Sequence, residues 1–489
     1  MTAESLLARV EAVVEKTAGE VDGTQWATPL AAIRTRLGEP LRVAIAGKAK
    51  AGKSTLLNAL VGELVAPTGA AECTMVVTWY VEGLTYRATL ELLDGTRVEV
   101  PIHRDANGID IDLGGRDSAE IDRIVVEWPS SVLRNTTFID TPGIGSLSDV
   151  GRRTLEVLAP DDERGSVADA VVYLTPHLHS GDVRFLYAFH DDATGPATPV
   201  NAIGVLSRAD EIGGARLDSL SSAARVASRY RHERDLRRLC NTFVPVAGLL
   251  AQGAATLTDG EFRAFRRVAD LDDDSRSVLL VSADRFVMSE VPGLGLLEEE
   301  RAALLERFGV FGVRLAVDLL MHGTVDTSRG LAEALRARSG LDDLRVLLQA
   351  QVSGRRDLLK ARSALLSLGD LALQLPAEVG DALRTDVERL WATAHELNEL
   401  RALLAVRRGD SGLDSSGVEE VELLLNPAVS VGERLACGPS EAEIRAAGLD
   451  AIARWRGRAE HPLAQPSVVE ISQIAVRTIE AMLADAAAG

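Results

Sequence analysis

The stretch LRVAIAGKAKAGKSTLLNALVG, residues 41–62, decides the fold. It opens with an apolar, β-rich run typical of a buried strand and continues as G-x-x-x-x-G-K-S over residues 47–54. It closes with a helical pattern that places Leu56, Leu57 and Leu60 inward. Glycines let backbone amides close around phosphates, and the helix N-terminus adds partial positive charge. Strand, glycine loop and helix in this order predict a nucleotide-binding loop.

The residues of this phosphate loop have distinct expected roles. Lys53 should contact the β- and γ-phosphates as a compact point charge, and Ser54 should offer its hydroxyl to Mg²⁺. The chain has only five lysines among its 53 basic residues, and three of them lie in this loop. The predicted nucleotide-binding residues of the loop are Gly47, Lys48, Ala49, Lys50, Ala51, Gly52, Lys53, Ser54 and Thr55.

A second motif follows an apolar run in TTFIDTPGIGS, residues 136–146. The run reads as a strand that ends in Asp140-Thr141-Pro142-Gly143. Asp140 can hold Mg²⁺ through a water, and the Gly143 amide can contact the γ-phosphate. We therefore expect Asp140 as a metal residue and Gly143 as a catalytic residue.

A GTPase also needs a mobile threonine that reaches Mg²⁺ when the γ-phosphate is present. The segment VAPTGAAECTMVVTWYV offers Thr68, Thr74 and Thr78. Thr78 lies inside an apparent strand, whereas Thr74 comes just before it. Thr74 is therefore the predicted switch threonine, a residue for both metal binding and catalysis.

The element that reads the base is expected in NAIGVLSRADEIG, residues 201–213. Guanine presents two donors, N1–H and the exocyclic amine, and the Asp210 carboxylate can accept both. Adenine presents an acceptor at N1, which a carboxylate repels. The usual motif of G proteins is N/T-K-x-D, and Arg208 takes the place of its lysine. The alternative is that Asp210 only caps a helix.

A further apolar run, TFVPVAGLL, residues 242–250, leads to Ala247 and Gly248. Backbone amides at this place in a GTPase contact the guanine oxygen, so both residues are predicted to bind nucleotide. The order of elements favours GTP and GDP over ATP.

Composition excludes several classes of protein. The formal charge of −19 argues against binding to nucleic acid and against electrostatic binding to anionic lipid. Three scattered cysteines do not suggest a disulfide framework. There is no apolar run of 18 residues, and the first residues read as an acidic amphipathic helix and not as a signal peptide. A cytoplasmic location is expected.

Several segments resemble the dynamin superfamily, and most of all its actinobacterial branch, the isoniazid-inducible dynamin-like GTPases of mycobacteria. These segments are EPLRVAIAGKAKAGKSTLLNALVG, APTGAAECTMVVTWY, FIDTPG, GVLSRADEIG, VPVAGLLA and LLERFGVFGVRL. The resemblance implies a large GTPase with a helical stalk, which hydrolyses GTP and associates peripherally with the inner face of the cell membrane. It further implies self-association or a paralogous dynamin-like partner.

Two departures from eukaryotic dynamins bear on hydrolysis. Those proteins carry Gln-Ser in the phosphate loop, and the serine helps to hold a monovalent cation. Here the pair is Ala49-Lys50, so either the Lys50 ammonium takes the place of that cation or it points to solvent. Ile144 stands where a Ras-like protein has its water-positioning glutamine, so unstimulated hydrolysis should be slow.

The expected architecture is an α/β P-loop GTPase domain with a mostly parallel sheet, joined to an elongated all-α stalk. Residues 1–38 are predicted to form helices that pack on the helical bundle, 39–292 the GTPase domain and 293–489 the stalk. Apolar residues spaced by three and four predict one long helix over 376–408, and a similar run covers 341–373. Gly354 and Gly369 are candidate bends in this earlier run.

The two long helices must reverse near LALQLPAE, residues 371–378. Leu371, Leu373 and Leu375 at this tip form a candidate membrane contact, because a hairpin tip in water normally carries polar residues. The alternative is that the terminal helices cover these leucines. Two alternative functions also stay open, a cytoplasmic GTPase switch without membrane activity and a nucleotide-binding scaffold for a partner GTPase.

Overall fold

The structure is a computed structural model, and it describes residues 5–67, 76–105, 108–143, 168–178, 202–233, 236, 240, 242–426 and 429–486. The predicted switch threonine Thr74, its alternative Thr68 and the position Ile144 lie outside these residues.

A mixed sheet of nine strands forms the centre of the described part of the chain. Its order is β11-β10-β9-β1-β8-β2-β7-β3-β4, and β5 and β6 pair separately as a hairpin. The strands are β1 (Leu41–Gly47), β2 (Thr78–Glu82), β3 (Arg87–Leu92), β4 (Arg97–Val100), β5 (Ile102–Asp105), β6 (Gly108–Ile111), β7 (Ile121–Trp128), β8 (Thr136–Asp140), β9 (Ala170–Thr175), β10 (Ala202–Leu206) and β11 (Thr242–Pro245).

The half of the sheet that carries the motifs is parallel. β1 pairs in parallel with β8 and β9, and β10 pairs in parallel with β9 and β11. Every residue of β9 and β10 is buried, which fits the apolar runs read in the sequence. The carboxyl ends of β1, β8, β10 and β11 therefore meet at one edge of the sheet, where ligands bind in open α/β sheets.

Helices make up most of the rest of the described chain. They are α1 (Leu6–Val21), α2 (Ala27–Gly38), α3 (Lys53–Val61), α4 (Ser219–His232), α5 (Gly248–Ala255), α6 (Asp259–Ala269), α7 (Asp273–Leu279), α8 (Ala283–Met288), α9 (Glu298–Met321), α10 (Ser328–Arg338), α11 (Leu341–Gln351), α12 (Arg356–Gln374), α13 (Ala377–Thr393), α14 (His395–Arg408), α15 (Ser415–Leu424), α16 (Val431–Arg434), α17 (Glu441–Ala459) and α18 (Pro466–Ala486). The predicted fold class, an α/β domain joined to helices, is confirmed. Among the helices described, none is long and apolar enough to cross a bilayer.

The two long helices predicted from the sequence are each divided. The run over 376–408 breaks at Ala394, whose backbone is extended (φ −76°, ψ 109°), into α13 and α14. The run over 341–373 is interrupted by a short 3₁₀ turn at Ser353–Arg355, at the predicted bend of Gly354. Gly369 lies inside α12 without a break, so that candidate bend is wrong.

The leucines near residue 371 do not form an exposed tip. Leu371 and Leu375 are buried in a core that also contains Val10 of α1 and Leu383 of α13, and only Leu373 is exposed, at 75%. Leu371 and Leu375 are four residues apart and therefore share the face of α12 that α1 and α13 cover. The predicted membrane contact at Leu371 and Leu375 is thus wrong, because the N-terminal helices cover them.

Helices α9 and α10 pack on α5 and α6. Phe308 of α9 and Leu331 of α10 share a core with Leu250 of α5 and Phe265 of α6. A division of the chain at residue 293 did not anticipate this packing, because it assigned α9 and α10 to the stalk. Both helices instead lie beside the elements that carry the base-reading motif.

Candidate nucleotide-binding site

The phosphate loop joins the end of β1 to the start of α3. Gly52 caps α3 with a left-handed backbone (φ 91°), which turns the loop into the helix. Lys53 Nζ donates to the carbonyl oxygens of Gly47 and Lys48, 3.3 Å from each. Burial lowers the pKa of Lys53, and the charge of Asp140 acts in the opposite direction. The structure thus holds the ammonium of Lys53 inside the loop.

The middle of the loop faces solvent. Ala49 and Lys50 are exposed, Lys48 is half-buried and Ala51 is buried. Lys50 has a left-handed backbone (φ 61°), which is uncommon for a residue other than glycine. Its role in place of a monovalent cation stays a prediction.

Ser54 and Asp140 are brought together, and the pair fits a magnesium site. Asp140 ends β8 beside Ile45 of β1, and Ser54 Oγ donates to Asp140 Oδ2 at 2.8 Å. Asp140 Oδ1 is buried without a hydrogen-bond partner among the described residues. Burial raises the pKa of Asp140, while Lys53 and the Ser54 hydroxyl act to lower it. A hydroxyl and a buried carboxylate oxygen are ligands that Mg²⁺ accepts.

Gly143 lies against the backbone of the phosphate loop. A Cβ atom added to it would lie 2.6 Å from the Cα and 2.8 Å from the amide nitrogen of Ala49. Only glycine allows this approach without a shift of the backbone. The segment after Asp140 is therefore in contact with the loop, as the proposed role of the Gly143 amide requires.

A cavity of about 140 Å³ opens beside the loop and reaches the predicted base-reading residues. Its lining consists of Ala51, Gly52, Thr55, Leu56, Leu174, Val205, Ser207, Arg208, Asp210, Glu211, Val246, Gly248 and Leu249. Asp210 is only 5% exposed, and burial raises its pKa to about 6, with Glu211 adding to the increase and Arg208 opposing it. An apolar cavity with one buried carboxylate suits a flat base with two donors.

Two neighbours of Asp210 complete this part of the site. Arg208 is exposed and pairs with Glu211 at 3.3 Å, so its aliphatic stem can flank the cavity. The hydroxyl of Ser207 is buried, lines the cavity and has no hydrogen-bond partner among the described residues. We did not predict Ser207 as a site residue, although it occupies the Asn/Thr position of the N/T-K-x-D motif.

The predicted role of the Ala247 amide is wrong. Ala247 N–H donates to the carbonyl oxygen of Ser339, at 2.9 Å, and Ser339 belongs to the turn between α10 and α11. The amide is therefore committed to a distant part of the chain. Gly248, at the start of α5, does line the cavity as expected.

Comparison with known proteins agrees with this site. The fold and the loop geometry define a P-loop nucleotide-binding protein, and the model of the dynamin family matches residues 43–177. The chain is 41% identical over 456 residues to the isoniazid-induced protein IniC of Mycobacterium tuberculosis (strain ATCC 25618 / H37Rv), covering 93% of this chain and 92% of that protein. It therefore belongs to the dynamin family, as a dynamin-like GTPase of the IniC group.

Two further similarities are more limited. The isoniazid-induced protein IniA of the same strain is 41% identical over 123 residues, which are 23% of this chain and 19% of that protein. A solved structure of an oligomerised bacterial dynamin pair, described as a mechanism for long-range sensing and tethering of membranes, covers 100% of this chain and 76% of its own, at 13% identity and a TM-score of 0.33. The predicted family and the predicted GTPase activity are confirmed by the match to the dynamin family and by the similarity to IniC.

Proposed function

We propose that the cavity beside the phosphate loop binds the guanine base of GTP or GDP, and that Asp210 selects it. The observation that carries this proposal is the buried carboxylate of Asp210 in a cavity that Gly52 and Thr55 of the loop also line. One ligand can therefore reach both. Asp210 would accept hydrogen bonds from N1–H and the exocyclic amine, and the buried Ser207 hydroxyl would bind a polar atom of the base.

The phosphate groups would lie along the loop and the N-terminus of α3. Lys53, which now donates to two loop carbonyls, would transfer its hydrogen bonds to the β- and γ-phosphate oxygens. Ser54 and Asp140 would hold Mg²⁺, which neutralises charge on the phosphates when bound. Thr74 would complete this shell and, with the Gly143 amide, place the attacking water.

Beyond hydrolysis, we propose that turnover is coupled to self-association or to a paralogous dynamin-like GTPase, and to peripheral binding at the inner face of the cell membrane. Membership of the dynamin family supports this proposal, and the similarity to IniA supports a paralogous partner. The buried positions of Leu371 and Leu375 exclude them as the lipid contact.

The test of base selection is a change of the carboxylate to an amide. Asp210→Asn should lose affinity for GDP and gain affinity for xanthosine diphosphate, because the amide can donate where xanthine has an additional oxygen. Lys53→Ala is the control. It should lose affinity for every nucleotide, because it removes the contact with the phosphates. Equal affinity of the wild type for ADP and GDP would end the proposal.

Membrane coupling needs a separate test. Co-sedimentation with liposomes, with GTP, with GDP and without nucleotide, should show binding that depends on the nucleotide state. GTP hydrolysis without liposome binding would favour the cytoplasmic switch. Nucleotide binding without hydrolysis would favour the scaffold.

A further inference from the structure

Helix α9 is interrupted directly beside the base-reading carboxylate. Gly309 lies inside α9 with φ 66° and ψ 172°, a backbone conformation that is essentially restricted to glycine. A Cβ atom added at Gly309 would lie 3.6 Å from Asp210 Oδ2 and 3.9 Å from Leu249 Cδ1. The kink therefore lies beside two of the residues that line the cavity assigned to guanine.

Side chains and close packing fix the segment before the kink. Arg307 Nη2 donates to both the carbonyl and the hydroxyl of Thr256, at 2.9 Å each, and Arg307 also forms an ion pair with Glu261. Phe308 is fully buried against α5, where a Cβ atom added to Gly253 would lie 2.6 Å from its ring. The kink is thus held in one place and is not a loose interruption of the helix.

The backbone of Gly309 affects the surroundings of Asp210. An added Cβ atom at this position would be in van der Waals contact with the carboxylate, so Gly309 lies directly beside it. Exclusion of water strengthens a hydrogen bond from a bound base, and a fixed neighbour limits the rotation of the carboxylate. Both effects favour simultaneous contact with the two donors of guanine.

We propose that Gly309 is a positioning residue for guanine recognition, which acts through Asp210. The kink of α9 excludes water from the carboxylate and orients it, so that both oxygens meet the base. This inference rests on the proposed function, because it assumes that Asp210 reads guanine. It assigns part of base selection to α9, a helix that follows all of the GTPase motifs along the chain.

The experiment compares two glycines that both have a positive φ. Gly309→Ala places a methyl group beside Asp210, whereas Gly323→Ala changes a glycine just after α9 that also has positive φ (64°) but has no atom within 4 Å of an added Cβ. The readout is the ratio of affinities for GDP and inosine diphosphate, because inosine lacks the exocyclic amine. Gly309→Ala should lower this ratio about tenfold, as expected for loss of one hydrogen bond to a charged group, and Gly323→Ala should leave it unchanged.

A second variant covers the case in which Gly309→Ala does not fold. Arg307→Gln loosens the anchor of the kink without backbone strain, and it should lower the same ratio by a smaller factor. A ratio equal to that of the wild type in each folded variant of Gly309 and Arg307 would overturn the inference.

The Asp210→Asn variant separates this failure from failure of the proposed function. One outcome is that Asp210→Asn gains affinity for xanthosine diphosphate while the Gly309 and Arg307 variants keep the wild-type ratio of affinities for GDP and inosine diphosphate. In that case Asp210 reads the base without help from α9. If Asp210→Asn gains no affinity for xanthosine diphosphate, the assignment of the base site itself is wrong.

Discussion

Lowering the pH should weaken binding of guanine nucleotides through Asp210. Burial raises the pKa of this carboxyl from 3.8 to about 6. Only the ionised form accepts both donors of guanine, so a protonated Asp210 must lose its proton before the base binds. About one molecule in ten is protonated at pH 7 and about ten in eleven at pH 5, so the dissociation constant should rise about tenfold over this range.

The assay is a titration with fluorescently labelled GDP and Mg²⁺ at several values of pH between 5 and 8. Phosphate groups of the nucleotide also titrate in this range, so the same titration is made with Asp210→Ala, which keeps the phosphate loop. The ratio of the two dissociation constants cancels the contribution of the phosphates. Circular dichroism would check that both proteins stay folded. A ratio of the two dissociation constants that stays constant from pH 8 to pH 5 would refute the reasoning.

Four further predictions concern hydrolysis and stability. Thr74→Ala should keep GDP binding and lose GTP hydrolysis, measured as phosphate release; normal hydrolysis would assign the switch to another residue. If the Lys50 ammonium replaces a cation, wild-type hydrolysis should not change when K⁺ is exchanged for a bulky organic cation, and Lys50→Ser should be slower and cation-dependent. Gly143→Ala should slow hydrolysis at least tenfold with a smaller effect on GDP affinity, because the added methyl group collides with the phosphate loop. Asp169→Asn should lower the free energy of unfolding in urea by about 3 kcal/mol, because it removes the nearer charge partner of the largely buried Arg36, at 2.7 Å, and leaves Glu39 at 3.9 Å; an unchanged midpoint would show that the pair is not stabilising.

The predicted site residues that the structure brings together belong to short motifs with a fixed place on the sheet. Ser54 and Asp140 meet because each follows a strand of one parallel pair, β1 and β8. The Ala247 amide could not be predicted in the same way. Its partner Ser339 lies far along the chain, and no local pattern signals that the turn after α10 docks there.

The periodic pattern of apolar residues also could not predict where a long helix breaks and changes direction. Apolar spacing continues across Ala394, although α13 packs in one core and most of α14 beyond Leu397 packs elsewhere. Leu383 of α13 packs with α1 and α12, whereas Leu403 of α14 packs with α17 and α18 around Trp455. At Ala394 the chain changes direction, and one apolar stripe therefore contributes to both cores. Apolar residues spaced by three and four occur equally in one long helix and in two consecutive shorter helices, so the spacing does not reveal the break.

The scarcity of lysine has a practical consequence for chemical labelling. Lys360 is buried and donates to two carbonyl oxygens, and Lys16 is paired with Asp386. The other three side-chain amines, Lys48, Lys50 and Lys53, all lie in the phosphate loop. A reagent that acylates amines under native conditions should therefore reach the exposed Lys50 and the half-exposed Lys16. The extent of labelling in the loop relative to Lys16, read from peptide masses, would then measure how much of the protein carries nucleotide.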